Sequence, residues 1–320
     1  MQSLSSKYNI FLSIITPVYN EEENLNIIHE RLVSVLTDLK IKFEWIIVDD
    51  HSTDSSFGII KSIARKNENV FGIRLSKNYG SHKAILSGLR ESKGQIAVVL
   101  ASDLQDPPEI IPEMIHKWKS GSQIIWAVRN KRIGESFLTN LFSLFYYWIM
   151  RKIVGVKDLP SKGADFFLID RKIIESLKLF TETNLNIFSL LTWMGFKQDS
   201  IYYDKQARLH GKSGWTVRKK IKLLFDSIAS FSHFPIRIMT YFGFIIAFIG
   251  FVYSVFTFNN ALSGIPIPGW SSIIIIITFL GGFQIVMIGV VGEYLWRVLD
   301  ESRKRPTFLI EDNTKWSVEK

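Results

Sequence analysis

Gln95-Ile96-Ala97-Val98-Val99-Leu100-Ala101-Ser102-Asp103-Leu104-Gln105-Asp106-Pro107-Pro108-Glu109 is the stretch whose reading decides the fold. The apolar run Ile96 to Leu100 reads as a buried parallel strand, and it stops at small residues, carboxylates, a carboxamide and a Pro-Pro break. A strand that ends this way delivers ligands to the carboxyl edge of a sheet, where open α/β folds bind substrates. Asp103, Gln105 and Asp106 are oxygen donors, the type that Mg²⁺ and Mn²⁺ prefer. A plainer reading makes Asp106 the N-cap of a helix with Pro107 at its first position. The two readings are compatible.

Working outward, Ile10 to Val18, Phe43 to Val48, Val70 to Leu75 and Ile124 to Val128 are further apolar, β-branched runs. Helical patterns lie between them, the first beginning at Leu25 behind an acidic turn, Glu21-Glu22-Glu23, that suits a helix N-terminus. Strands alternating with helices predict an α/β fold with a mostly parallel sheet and helices on both faces. Each run closes on polar residues: Tyr19-Asn20-Glu21, Asp49-Asp50-His51-Ser52, Ser76-Lys77-Asn78-Tyr79-Gly80 and Arg129-Asn130. One Asp-Asp pair is ordinary turn chemistry, but the four polar loops after Val18, Val48, Leu75 and Leu100 along one edge point to a site. Neither Gly-x-Gly-x-x-Gly nor the Walker phosphate loop is present, which argues against dinucleotide and P-loop chemistry.

Composition narrows the classes. The 320 residues contain no Cys, which excludes disulfides, thiolate zinc sites and Cys nucleophiles. The six His show no His-Glu-x-x-His pattern. The net charge of +9 calls for an anionic partner: nucleic acid, a phosphorylated substrate or a membrane surface. No signal sequence opens the chain, so the N-terminal part is expected in the cytoplasm.

The C-terminal part decides among those partners. Phe137 to Ile153 is aromatic-rich with Arg151 and Lys152 at its end, and fits either core or a membrane interface. Gly163-Ala164-Asp165-Phe166 sets one acid among small and apolar residues, either a satisfied structural carboxylate or a functional one. In residues 217–235, Val217, Ile221, Leu224, Ile228 and Phe231 form an apolar stripe opposite Arg218, Lys219 and Lys222. A basic amphipathic helix ahead of a span is the interfacial pattern, and it argues against nucleic acid. Ile238 to Phe258 is uncharged over about 21 residues, ~31 Å of helix and enough to cross a bilayer. Ser271 to Val291 is a second such run. Arg237 precedes the first run, and Arg297, Arg303, Lys304 and Arg305 follow the second, so both flanks are expected inside and the short linker outside. Thr314 to Lys320 reads as a disordered tail.

Taken in order, Pro17-Val18-Tyr19-Asn20-Glu21, Val48-Asp49-Asp50-His51-Ser52-Thr53-Asp54, Asp103-Leu104-Gln105-Asp106-Pro107-Pro108-Glu109, Gly163-Ala164-Asp165-Phe166, Gly211-Lys212-Ser213, Gly292-Glu293-Tyr294 and Arg305-Pro306 resemble glycosyltransferase family 2. The closer likeness is to its membrane-anchored polyisoprenyl-phosphate group, which includes bactoprenol glucosyltransferases and dolichol-phosphate-mannose synthases. The resemblance implies a GT-A (Rossmann-like, mostly parallel sheet) catalytic domain over residues 1–216, an amphipathic juxtamembrane helix over 217–235, two transmembrane helices within 236–296 and a cytoplasmic tail over 297–320. It implies that Pro17, Tyr19, Glu21, Asp50 and Ser102 hold the nucleotide, and that Asp103 and Gln105 bind Mg²⁺ or Mn²⁺ on the diphosphate. It also implies that Asp165 faces the acceptor as the catalytic residue, with Arg129, Arg208 and Lys212 on phosphates. Two positions depart from the family pattern: the usual Asp-x-Asp is Ala101-Ser102-Asp103, and the residue after Asp165-Phe166 is Phe167 rather than a basic one.

The resulting expectation is inverting transfer of a hexose from a nucleotide sugar, UDP-linked, to undecaprenyl (polyisoprenyl) phosphate. It places the chain in the bacterial inner membrane, multi-pass, with the catalytic domain and both termini cytoplasmic. Lone spans with interfacial helices favour a homo-oligomer. The alternatives are a glycosyltransferase with another lipid or polysaccharide acceptor, and a non-catalytic membrane scaffold, motivated by Ala101.

Overall fold

In a computed structural model, the described residues are 9–130, 150, 165–180, 182, 186–206, 234–263 and 269–315. The interfacial-helix readings at 137–153 and 217–235 lie outside them apart from Met150, Phe234 and Pro235, as do Arg208 and Lys212.

Among the described residues eight strands form one sheet: β1 (Leu12–Val18), β2 (Phe43–Asp49), β3 (Val70–Leu75), β4 (Ile96–Val99), β5 (Ile124–Arg129), β6 (Phe166–Asp170), β7 (Gln198–Tyr203) and β8 (Ile310–Asn313). Their spatial order is β7-β5-β6-β4-β1-β2-β3-β8. β1 pairs in parallel with β2 and β4, β2 with β3, and β5 with β7. β6 and β8 run antiparallel to their neighbours. The five strands expected from the apolar runs are all present.

Alternation along the strands makes two cores. Leu12 and Ile14 face one side, where they meet Leu25, Ile28, Leu32 and Leu36 of α1 (Leu25–Asp38), Phe57, Ile60 and Ile63 of α2 (Ser56–Lys66), and Met114 of α4 (Ile111–Lys119). Ile15 faces the other, with Ile85, Leu86 and Leu89 of α3 (Ser81–Glu91), Ile173, Ile174 and Leu177 of α5 (Arg171–Leu177), and Leu190 of α6 (Ile187–Trp193). α3 comes so close to β1 that a Cβ on Gly88 would sit 2.5 Å from Ile15 Cγ2.

Two long helices, α7 (Phe234–Leu262) and α8 (Trp270–Ser302), stand outside these layers. Ile236–Asn260 and Phe279–Ser302 are long and apolar enough to cross a membrane. Their rings, including Phe244, Phe248, Phe251 and Phe279, are exposed in the protein itself, which suits a lipid environment. The expected motif Gly292-Glu293-Tyr294 is helical, with Arg297 donating to Glu293 at 3.1 Å.

Three local expectations change. Pro107 is extended, a 3₁₀ turn spans Pro108–Ile110 and α4 starts at Ile111, so Asp106 caps no helix; its carboxylate accepts from the Tyr203 hydroxyl instead. The Glu21–Glu23 acids precede α1 rather than lying in its first turn, and the Glu22 carboxylate binds the loop after β2, accepting from Ser55 N at 2.9 Å. The segment expected as a tail over 297–320 contributes to the sheet, because β8 pairs with β3, and Thr314, expected at the start of a disordered end, donates its N–H to Gly72 O at 3.0 Å.

Candidate active site

The carboxyl edge of the parallel strands gathers the loops after β1, β2, β3, β4, β5 and β7, together with Asp165 at the start of antiparallel β6. Asn20, His51 and Leu104 have positive φ in three of these loops (55°, 62° and 57°). For non-glycine residues that conformation costs about 1–2 kcal/mol each, and such strain collects where a loop is shaped for a ligand.

One end of the edge is knitted by β1 and β2. Asn20 N donates to Ser52 Oγ (2.9 Å), Thr53 N to Asn20 Oδ1 (2.8 Å), and Glu21 N to Ser56 Oγ (2.9 Å). Glu21 accepts from Asn24 Nδ2 at 2.5 Å, while Tyr19, in the loop after β1, is 46% exposed. Asp50 is buried, and its two oxygens each accept one backbone N–H, from Tyr79 (2.7 Å) and Gly80 (2.8 Å). Gly80 has φ 91°, a conformation that its neighbours' side chains would resist. Burial pushes the Asp50 carboxyl up to about 6, with the two N–H bonds opposing. Ser102, buried behind this group, spends its hydroxyl on the Pro17 carbonyl (3.1 Å), which ties the β4 loop to β1.

The other end is charged. Arg129, at the end of β5, pairs with Asp165 at 2.5 Å. Burial works against the guanidinium, but Asp165 and Asp106 more than offset it and its pKa rises further. Asp106 Oδ2 is buried with no hydrogen-bond partner among the described residues, and burial raises that carboxyl's pKa. Lys205 lies beyond β7, where burial and then Arg129 lower its pKa against the pull of Asp106, Asp103 and Asp165. Both His82 ring nitrogens are buried without a partner among the described residues. Burial brings His82 down to about 4 although Asp165 faces it, so the imidazole is neutral.

Asp103 and Gln105 share the β4 loop with strained Leu104 between them, and Gln105 N donates to Asp103 Oδ1 at 3.3 Å. Gln105 is fixed to the β7 end through Gln206 N donating to its carbonyl at 2.9 Å. Among the described residues no cluster of three His, Cys, Asp or Glu could cage a metal. One carboxylate and one carboxamide oxygen fit Mg²⁺ or Mn²⁺ only where substrate phosphates and water complete the shell, the ordinary arrangement for Mg²⁺.

Pro17, Tyr19, Glu21, Asp50, Ser102, Asp103, Gln105, Arg129 and Asp165 thus meet on one edge. Sequence reasoning missed His82, Tyr203 and Lys205. His82 had a signal, since it follows the β3 loop. Tyr203 and Lys205 had little, because β7 is a short run with polar neighbours.

Residues 13–178 match the model of the family described as Glycosyl transferase family 2. An uncharacterized glycosyltransferase of Synechocystis sp. is 35% identical over 97% of this chain and 97% of its own length. The bactoprenol glucosyl transferase of Shigella phage SfV is 34% identical over 94% of this chain and 98% of its own. Among solved structures, glucosyl-3-phosphoglycerate synthase from Mycobacterium tuberculosis in complex with Mn²⁺, uridine-diphosphate and phosphoglyceric acid is similar with a TM-score of 0.49. It is 16% identical, covering 69% of this chain and 77% of that one. With a family match that runs from β1 through β6 and relatives aligned over nearly their whole length, the chain belongs to glycosyltransferase family 2.

Proposed function

We propose that this enzyme transfers a hexose, glucose in the first instance, from a UDP-sugar to a polyisoprenyl phosphate at the cytoplasmic face of the membrane, with inversion. The observation that carries the reading is the division of the carboxyl edge. A carboxylate-lined end with an exposed Tyr19 ring suits a nucleoside, and a cationic end built on Arg129 suits phosphate. The name of the phage relative, which aligns over nearly the whole chain, supports both the sugar and the lipid.

Asp50 would accept from an N–H of the nucleobase with the lone pairs its two backbone donors leave, and Tyr19 would cover the base. Asp103 and Gln105 would hold Mg²⁺ or Mn²⁺. When bound, such a cation neutralises charge on the departing diphosphate. A phosphate monoester has a second pKa near 6, so the acceptor is already largely a dianion at neutral pH and needs no proton removed. Asp165, ion-paired to Arg129, therefore orients that cation and the acceptor. Direct attack on the anomeric carbon from the face opposite the diphosphate inverts its configuration. No side chain need bond to the sugar.

Topology supports the membrane placement. β8 belongs to the same sheet as β3, so the chain that leaves for α7 and returns from α8 ends on the side where it began. Two spans are the least number that allows this. Arg208 and Lys212 fall to the acceptor phosphate in the same reading. The test is a screen of nucleotide sugars against the purified full chain in nanodiscs with undecaprenyl phosphate. UDP-glucose is expected to yield a hexosyl lipid, and no product with any donor would refute the reading.

A further inference from the structure

The donor end of the edge is held from behind by the last strand of the chain. Arg74, on β3, donates through Nη1 to Asp49 (2.9 Å) and through Nη2 to the Ser52 carbonyl (3.1 Å), so one guanidinium clamps both flanks of Asp50. Asp49 in turn accepts from Ser52 N at 3.0 Å. Ser52 Oγ takes the Asn20 N–H that shapes the Tyr19 loop. Asp49 is 0% exposed and Arg74 20%, with the Phe57 ring 5.2 Å from the guanidinium. The remaining Arg74 donor, Nε, goes to Glu311 of β8 at 3.0 Å. The same Glu311 oxygen lies 3.2 Å from His51 Nδ1, which also faces the Leu75 carbonyl at 3.1 Å. β8 is itself fixed by Ser76 N donating to Leu309 O (2.9 Å) and by the paired bonds between Gly72 and Thr314.

We propose that Glu311 and Arg74 are positioning residues for the nucleotide sugar, and that β8 is a strap that sets the Asp50 and Tyr19 loops from the end of the α8 span. Glu311 touches no substrate. It fixes Arg74, which fixes the Asp49–Ser52 turn and, through Ser52, the strained backbone at Asn20 and His51. Without it the guanidinium keeps Asp49 but loses the contact that aims its plane at the Ser52 carbonyl. The assignment of the Asp50 end to the nucleotide rests on the proposed function; the ordering of the loop does not.

Asp312 separates the strap's two effects: it lies opposite Arg74 in the β3–β8 ladder, a backbone pairing that alanine keeps, and its carboxylate pairs with Lys61 of α2 at 2.7 Å rather than with the guanidinium, which goes to Glu311. The experiment compares Glu311→Ala with Asp312→Ala in the full chain in nanodiscs. Amide hydrogen exchange is followed without nucleotide, and the KM for the UDP-sugar and for the lipid is then measured. Exchange at Ser52, Thr53, Tyr79 and Gly80 is expected to quicken in Glu311→Ala and not in Asp312→Ala. Donor KM should rise about three- to fivefold, the scale of a partly exposed ion pair converted to a ratio. The kcat and the lipid KM should stay within about twofold, the low end of that same scale. Unchanged exchange, or equal effects from both variants, overturns the inference. Quickened exchange with an unmoved donor KM supports the strap, and it is then the nucleotide assignment of this end that fails.

Discussion

At the scale of single residues, Asp50 carries a pH dependence whose sign follows from its surroundings. Its carboxyl is held near 6 by burial, about two units above an ordinary aspartate, so at pH 5 it is protonated roughly ten to one. A protonated carboxyl loses acceptor capacity for a nucleobase N–H. Donor KM is therefore expected to rise as pH falls from 7 to 5, and Asp50→Asn to be high and flat across that range. Arg129 and Asp165 differ in kind. Arg129→Met removes the largely covered cation that the proposed function gives to phosphate and should cut kcat/KM about 10²-fold, the cost of one preorganised electrostatic partner. Asp165→Asn should lower kcat yet leave the acid limb of its pH profile where it was, since the acceptor is its own nucleophile. Loss of that limb would make Asp165 a general base.

At the scale of elements, β1 to β5 were legible because apolar runs of four to seven residues ended in polar turns and had helical patterns between them. The rest was not, for reasons of pairing. β8, Ile310-Glu311-Asp312-Asn313, has one apolar residue and becomes a strand because the β3 edge offers it a ladder. β6 runs antiparallel between β4 and β5, which no local pattern announces. The same holds within the site. That the motif residues share one edge was readable from their order, while Lys205 and His82 enter only because the sheet brings β7 and α3 to Asp165. Asp106 looked like a cap by its place before two prolines, and Tyr203 claimed it through the fold. Packing offers a check on the α3–β1 approach. Gly88→Ala forces a methyl against Ile15 and Val48 and should cost about 1–3 kcal/mol, seen as a lower melting temperature of the whole chain.

At the scale of the molecule, a glycosyltransferase sheet takes as its edge strand a segment that follows two helices long and apolar enough to cross a membrane, so the sheet and those helices are parts of one continuous piece of chain. The absence of Cys makes topology accessible, since single cysteines enter a clean background. Ser263→Cys, in the turn after α7, should react with impermeant thiol reagent from outside, and Lys304→Cys only after the membrane is opened. The central claim concerns what the sugar is joined to. The most direct measurement supplies radiolabelled UDP-glucose and undecaprenyl phosphate to the purified chain and to Asp103→Ala, followed by butanol extraction and determination of the anomeric configuration. Transfer to lipid phosphate predicts a labelled, inverted, divalent-ion-dependent glucosyl phospholipid from the unaltered chain and none from Asp103→Ala. Label that stays out of the lipid, or a product undiminished in Asp103→Ala, would contradict it.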